Sequence, residues 1–100
     1  MEINIKATKA QLVPGARATI EEKIESLNKY CHCIIRADVE LGITTFHHQK
    51  GDIYRAEVNL EVPGKVLRAE AETDDIVKSI NLVRDKLKKE LVRYKEIKKG

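Results

Sequence analysis

The chain has 100 residues, a formal net charge of +3, 42% hydrophobic residues and 35% charged residues. That is one domain's worth of chain, able to bury roughly two-thirds of its unfolded surface around one core. The charged share exceeds the usual ~25%, but the apolar residues are spaced too regularly for a disordered tail and no apolar run approaches the ~18 residues of a membrane span.

The N-terminal ten residues alternate charge with isoleucine, unlike a signal peptide, so a soluble cytoplasmic protein with no membrane partner is expected. Ile3, Ile5 and Ala7 alternate with Glu2, Asn4 and Lys6, which predicts a short strand with one buried face. Pro14 fits the first turn of a helix. From there Ala16, Ile20, Ile24, Leu27 and Cys31 recur at three- and four-residue steps, an amphipathic stripe that should end near Tyr30. A long strand follows, with Cys33, Ile35, Ala37, Val39, Leu41 and Ile43 on one face and Arg36, Asp38 and Glu40 on the other.

Residues 46–52 are polar and aperiodic, hence a loop. Tyr54, Ala56, Val58, Leu60 and Val62 form the apolar face of a third strand. Val62-Pro63-Gly64-Lys65 specifies a type II turn, because Gly64 can supply the positive φ at its third position. Leu67, Ala69 and Ala71 line the returning strand, and their small size suggests close packing under a helix. Thr73, Asp74 or Asp75 can cap that last helix. Its stripe is Ile76/Val77, Ile80, Val83, Leu87, Leu91 and Tyr94. Running to about residue 98 it is on the order of 35 Å long, so its end should project beyond a small sheet.

The order β-α-β-β-β-α is an α+β fold. Alternation leaves one sheet face wet, so both helices must cover the other face of a four-stranded mixed sheet. The first two strands should be parallel with a right-handed crossover, and the later pairs antiparallel. A single domain spans residues 1–100, with a basic tail from about residue 95.

Catalysis finds little support: the glycines are scattered singly, so there is no phosphate loop, and Asp74-Asp75 is explained by capping. Cys31 and Cys33, one residue apart, are too few and too close for a disulfide framework and read as reduced thiols. With His32, His47 and His48 they do not match zinc-ligand spacing, so no metal and no cofactor is expected; the loop histidines could approach a phosphate when protonated.

Charge is the informative feature. Residues 76–100 hold nine Lys/Arg against three Asp/Glu, whereas residues 1–75 hold ten against thirteen. Lys78, Arg84, Lys86, Lys88, Lys89, Arg93, Lys95, Lys98 and Lys99 surround the polar side of the last helix. A face built for internal salt bridges would be closer to neutral, so a polyanionic partner is indicated. Aromatic residues are few (Tyr30, Phe46, Tyr54, Tyr94), so there is no row of platforms for stacking single-stranded bases. Recognition would rest on phosphates and groove shape, which suits folded RNA.

Residues 20–30, IEEKIESLNKY, resemble the first helix of the ribosome hibernation-promoting factor and ribosome-associated inhibitor family. Val62-Pro63-Gly64-Lys65 followed by Leu67-Arg68-Ala69-Glu70 resembles its last hairpin. Asp75-Ile76-Val77, Ile80-Asn81-Leu82-Val83 and residues 85–91, DKLKKEL, resemble its second helix, and the likeness covers essentially the whole chain. The resemblance implies a β-α-β-β-β-α fold similar to a double-stranded RNA-binding domain. It also implies a non-enzymatic role: binding 16S-type rRNA of the small ribosomal subunit in the mRNA/tRNA channel and silencing translation in stressed or stationary cells, with no small-molecule substrate. Basic positions carried over are Lys86 and Lys89, then Arg93, with Lys23 and Lys29 on the first helix; Lys78 and Arg84 are added from charge alone. The sequence departs from the family at Val77, where many members carry an aromatic, and Cys31-His32-Cys33 is no family signature. The chain corresponds to a short-type member or to the N-terminal part of a long one. The alternatives are a general double-stranded RNA-binding module and, less favoured, a small α+β enzyme or ligand module.

Overall fold

The computed structural model describes residues 1–8, 14–45 and 51–99. Four strands, β1 (Glu2–Thr8), β2 (Arg36–Thr45), β3 (Asp52–Val62) and β4 (Lys65–Thr73), form one sheet in the order β1-β2-β3-β4. β1 runs parallel to β2, with Ile3 opposite Ala37 and Ile5 opposite Val39. The β2–β3 and β3–β4 pairs are antiparallel. Helix α1 (Ala16–Glu25) continues into a 3-10 turn, Ser26–Lys29, and helix α2 (Ile76–Lys99) closes the chain. This is the four-stranded mixed sheet with two helices that the alternation and the single wet face predicted.

One core lies between the helices and the sheet. Ile20, Ile24 and Leu27 from the first helical segment meet Val39 and Leu41 of β2, Val58 and Leu60 of β3, and Ile80, Val83, Leu87 and Leu91 of α2. Ala56, Ala69 and Ala71 are buried beneath α2, small as close packing of helix on sheet requires. Gly64 adopts φ +79° in the β3–β4 turn, as a positive-φ turn position demands.

Asp75 is the α2 cap among the three candidates. Its carboxylate accepts the Val77 N–H at 3.3 Å, and its own N–H donates to the Thr73 hydroxyl at 3.1 Å. Ser79, fully buried, donates its hydroxyl to the Tyr54 carbonyl at 2.7 Å and so ties the start of α2 to β3. Asp75→Ala is expected to cost about 1 kcal/mol, read as a lower urea midpoint with an unchanged denaturant slope. At the other end the Tyr94 hydroxyl donates to the Pro63 carbonyl at 2.7 Å. Beyond it Ile97 is exposed.

Local geometry departs from the sequence pattern in four places. Gly15, at φ +88°, caps α1 and Pro14 lies outside it, so the helix starts at Ala16, two residues after Pro14. The segment before β2 is not strand: Ile34 enters the core and Ile35 is 51% exposed, reversing the expected alternation there. Ala7, at the end of edge strand β1, is exposed because the core does not reach it. Finally, Cys31 and Cys33 are joined as a disulfide and are not the expected reduced thiols. The chain turns as it leaves the 3-10 segment and brings their Cα atoms to 5.1 Å, within the about 4.4–6.8 Å that a disulfide spans. The expected 46–52 loop, with His47 and His48, lies outside the described residues up to residue 50.

Candidate nucleic-acid interface

The charges are segregated between the two layers of the molecule. On the open sheet face, arginines alternate with carboxylates and pair with them. Arg36 meets Asp38 at 3.1 Å and Glu61 at 3.8 Å; Arg55 pairs with Glu57 and Glu70, and Arg68 with the same two. Cross-strand register explains this, because Glu57 stands opposite Glu70 and Arg55 opposite Glu72, so each long guanidinium bridges neighbouring carboxylates.

The helical layer is different. Among the described residues, Lys23, Lys29, Lys86, Lys88, Lys89 and Lys95 have no carboxylate within ion-pair distance. Leu87 and Leu91 point into the core, so the i, i+3, i+7 set Lys86, Lys89 and Arg93 flanks the buried stripe on one side. Arg84, Lys88 and Lys95, at i, i+4 and i+11, flank it on the other.

Each flank lines a cleft. Between α2 and edge strand β4 lies an open groove of about 560 Å³ bounded by Arg68, Glu70, Lys86, Lys89, Glu90 and Arg93. The Lys86 ammonium donates to the Glu70 carbonyl at 2.8 Å, which fixes it on the groove wall. Arg93 lies 3.8 Å from Glu90, an i, i+3 pair with the arginine 70% exposed. Such an exposed pair is worth little and yields readily to a phosphate. Between the 3-10 turn and α2 lies a second cleft of about 230 Å³, lined by Ser26, Lys29, Tyr30, Arg84, Asp85 and Lys88. There the half-buried Tyr30 ring has the Lys88 ammonium 5.2 Å and the Lys29 ammonium 5.4 Å from its centroid. Both distances suit cation–π attraction, which holds two cations in place without neutralising them.

Five of the seven residues singled out from the sequence therefore fall into two basic clefts: Lys86, Lys89 and Arg93 in one, Lys29 and Arg84 in the other. Lys23 lies on α1 outside both. Lys78 lies at the start of α2, 2.9 Å from Asp74. Its hydrogen bond and charge hold the Asp74 carboxyl below its ordinary value, and Asp74 in turn raises the Lys78 ammonium. Lys78 is thus engaged in a pair at the helix start. Sequence reasoning missed Arg68, named only as part of the last hairpin, and the part played by Tyr30. Lys88 was legible as an i+4 neighbour of Arg84. The side chains of Lys98 and Lys99 are not among those described.

No cluster of three or more His, Cys, Asp or Glu among the described residues is placed to hold a metal ion. No helix among them is long and apolar enough to cross a membrane.

The family described as sigma 54 modulation protein / S30EA ribosomal protein matches residues 3–99. A ribosome hibernation promoting factor of Azotobacter vinelandii is 32% identical over 96% of this chain and 84% of its own length. A ribosome hibernation promotion factor of Bacillus subtilis is 24% identical over 95% of this chain and 49% of its own length. The chain thus spans about half the length of several curated relatives that it matches. Among solved structures, a ribosomal subunit interface protein from Coxiella burnetii superposes with a TM-score of 0.83 at 24% identity, over 96% of this chain and 99% of that one. The N-terminal domain of Thermus thermophilus Protein Y superposes at 0.80 with 25% identity, over 94% of this chain and 99% of that one.

Proposed function

Because the chain belongs to the sigma 54 modulation protein / S30EA ribosomal protein family, we propose that it is a ribosome hibernation factor. It binds 16S-type rRNA of the small ribosomal subunit at the mRNA/tRNA channel and inhibits translation during stress or stationary phase. It acts in the cytoplasm, without enzymatic activity, by occupying space that mRNA and tRNA need.

The observation that carries this reading is the segregation of charge. The sheet face satisfies its arginines internally, while the helical layer keeps lysines uncompensated along two clefts. Lysines 88 and 29 are held over Tyr30, and Lys86 is held against β4, so part of the ordering entropy is already spent before RNA arrives. Rows of ammonium and guanidinium groups, with no row of stacking aromatics among the described residues, read phosphates and backbone shape, which folded rRNA presents.

Co-sedimentation with small subunits across a salt series tests it. Six cleft cations (Lys29, Arg84, Lys86, Lys88, Lys89 and Arg93) meeting phosphates should cost about a thousandfold in affinity between about 50 and 200 mM salt. Deacylated tRNA with mRNA should compete, and a plain RNA duplex should not. Displacement by the duplex as efficiently as by ribosomes would instead mark a general double-stranded RNA-binding module. Affinity indifferent to salt would reject both.

A further inference from the structure

We propose that Cys31 and Cys33 form a thiol–disulfide exchange site whose oxidant is a low-molecular-weight disulfide, and that its redox state adjusts the lysine pair at Tyr30. The second half rests on the reading of the helical layer as an rRNA surface; the first stands without it.

Three observations carry the exchange site. The two Cα atoms are 5.1 Å apart, a separation at which the sulfurs can bond without displacing the backbone. The Cys33 backbone N–H donates to the Cys31 sulfur at 3.2 Å, a contact that favours negative charge on that sulfur once it is released. The two sulfurs also differ in access: Cys31 is 6% exposed and belongs to the core, whereas Cys33 is half-buried at its edge. An incoming disulfide therefore meets Cys33 first.

The spacing argues against a stabilising brace. With a sequence separation of 2, the bridge closes almost no loop and removes little entropy from the unfolded chain. Bridges that contribute little to stability are found among those that exchange or sense. The reaction balances in two steps. The Cys33 thiolate attacks one sulfur of the small disulfide, forming a mixed disulfide and expelling the first small thiolate. The Cys31 thiolate then attacks the Cys33 sulfur, forms the internal bridge and expels the second. The protein loses two protons and two electrons; the small disulfide gains both and leaves as two thiols.

The bridge lies one residue from Tyr30, where the Lys29 and Lys88 ammonium groups gather. Between the 3-10 turn and β2 the backbone is held at its two ends: Tyr30 N–H donates to the Leu27 carbonyl at 3.0 Å, and Ile35 donates its N–H to the Glu61 carbonyl at 2.8 Å and accepts from the Glu2 N–H at 3.3 Å. The bridge fixes the segment between these two anchors. Reducing it releases Tyr30 from one side and loosens the placement of both lysines.

The full chain is equilibrated in graded reduced and oxidised glutathione, quenched with a thiol alkylator and weighed intact. The expected result is one transition in which both thiols disappear together and the mass falls by two hydrogens. Cys31→Ser should retain one glutathione on Cys33, and Cys33→Ser should leave Cys31 unmodified. Thiols that stay alkylatable in fully oxidised buffer, or a wild-type chain that accumulates glutathione adducts, would overturn the site. The wild-type mass decides this even where Cys31→Ser fails to fold. For the coupling, the oxidised chain should bind small subunits several-fold tighter than the reduced one, and the Cys33→Ser chain should be indifferent to redox buffer. Equal binding by both forms overturns the coupling, and absence of binding by either overturns the ribosomal reading while the mass result still judges the exchange site.

Discussion

Replacing Lys86, Lys89 and Arg93 together with alanine is expected to lower affinity for the small ribosomal subunit on the order of a hundredfold near 0.1 M salt. The salt dependence should also become shallower by about two to three units, because each neutralised phosphate adds about 0.7–0.9 to the slope. The three side chains line one groove and project from one flank of α2, so they would be lost as a single phosphate-binding row. Stability should change little. Alanine is the best helix former, and exposed substitutions usually fall within about 0.5 kcal/mol each. The largest structural loss is the hydrogen bond from Lys86 to the Glu70 carbonyl, at an exposed position. Equilibrium sedimentation of the variant with subunits, beside a thermal melt, separates lost binding from lost folding. Lys78→Ala is the internal control: that lysine pairs with Asp74 away from both clefts, and its removal should leave affinity nearly unchanged. A Lys78 effect as large as that of the groove would mean that net charge alone, and not the placement of cations, drives binding.

This contrast between Lys78 and Lys86 marks the boundary of what the sequence discloses. Strict alternation in residues 54–62 and 67–71 and the three- and four-residue steps of residues 76–94 determined strands, helix and buried face, because side-chain period is a local property. Parallel pairing of β1 with β2 followed from the intervening helix, and the positive φ of Gly64 from Val62-Pro63-Gly64-Lys65. Charge asymmetry pointed at α2. It could not divide the cations into two clefts, since that depends on which flank meets β4 and which meets the 3-10 turn. Tyr30 had no legible role because its partner Lys88 is distant in sequence. Ile34 and Ile35 exchanged their expected places because the chain bends before β2 begins, and alternation counts only within regular strand. The same bend brought Cys31 and Cys33 into a bridge where their close spacing had been read as two reduced thiols.

The second large effect is one of stability. Leu87→Ala is expected to destabilise the fold by about 2–5 kcal/mol, through lost apolar contact and the cavity left behind. Leu87 is fully buried in the middle of α2's stripe, within the cluster that joins β2, β3 and the first helical segment. Against a total stability of about 5–15 kcal/mol for a domain of this size, the loss is severe. Each kcal/mol should lower the melting temperature by about 4–8 °C, so differential scanning calorimetry would register a fall of about 8 °C or more on that scale. Leu87 also lies between Lys86, which lines one cleft, and Lys88, which lines the other. Its side chain is the peg that seats both flanks of α2 on the sheet. The variant should therefore lose subunit affinity mainly as it unfolds. Measured well below its own melting temperature, binding should return to nearly the wild-type value with the same salt slope, since no phosphate contact has been removed. The groove variant should show the reverse pattern, an ordinary melt with a flattened slope. A Leu87→Ala chain that melts like wild type would mean that α2 is not anchored through this stripe, and the two clefts would lose their common support.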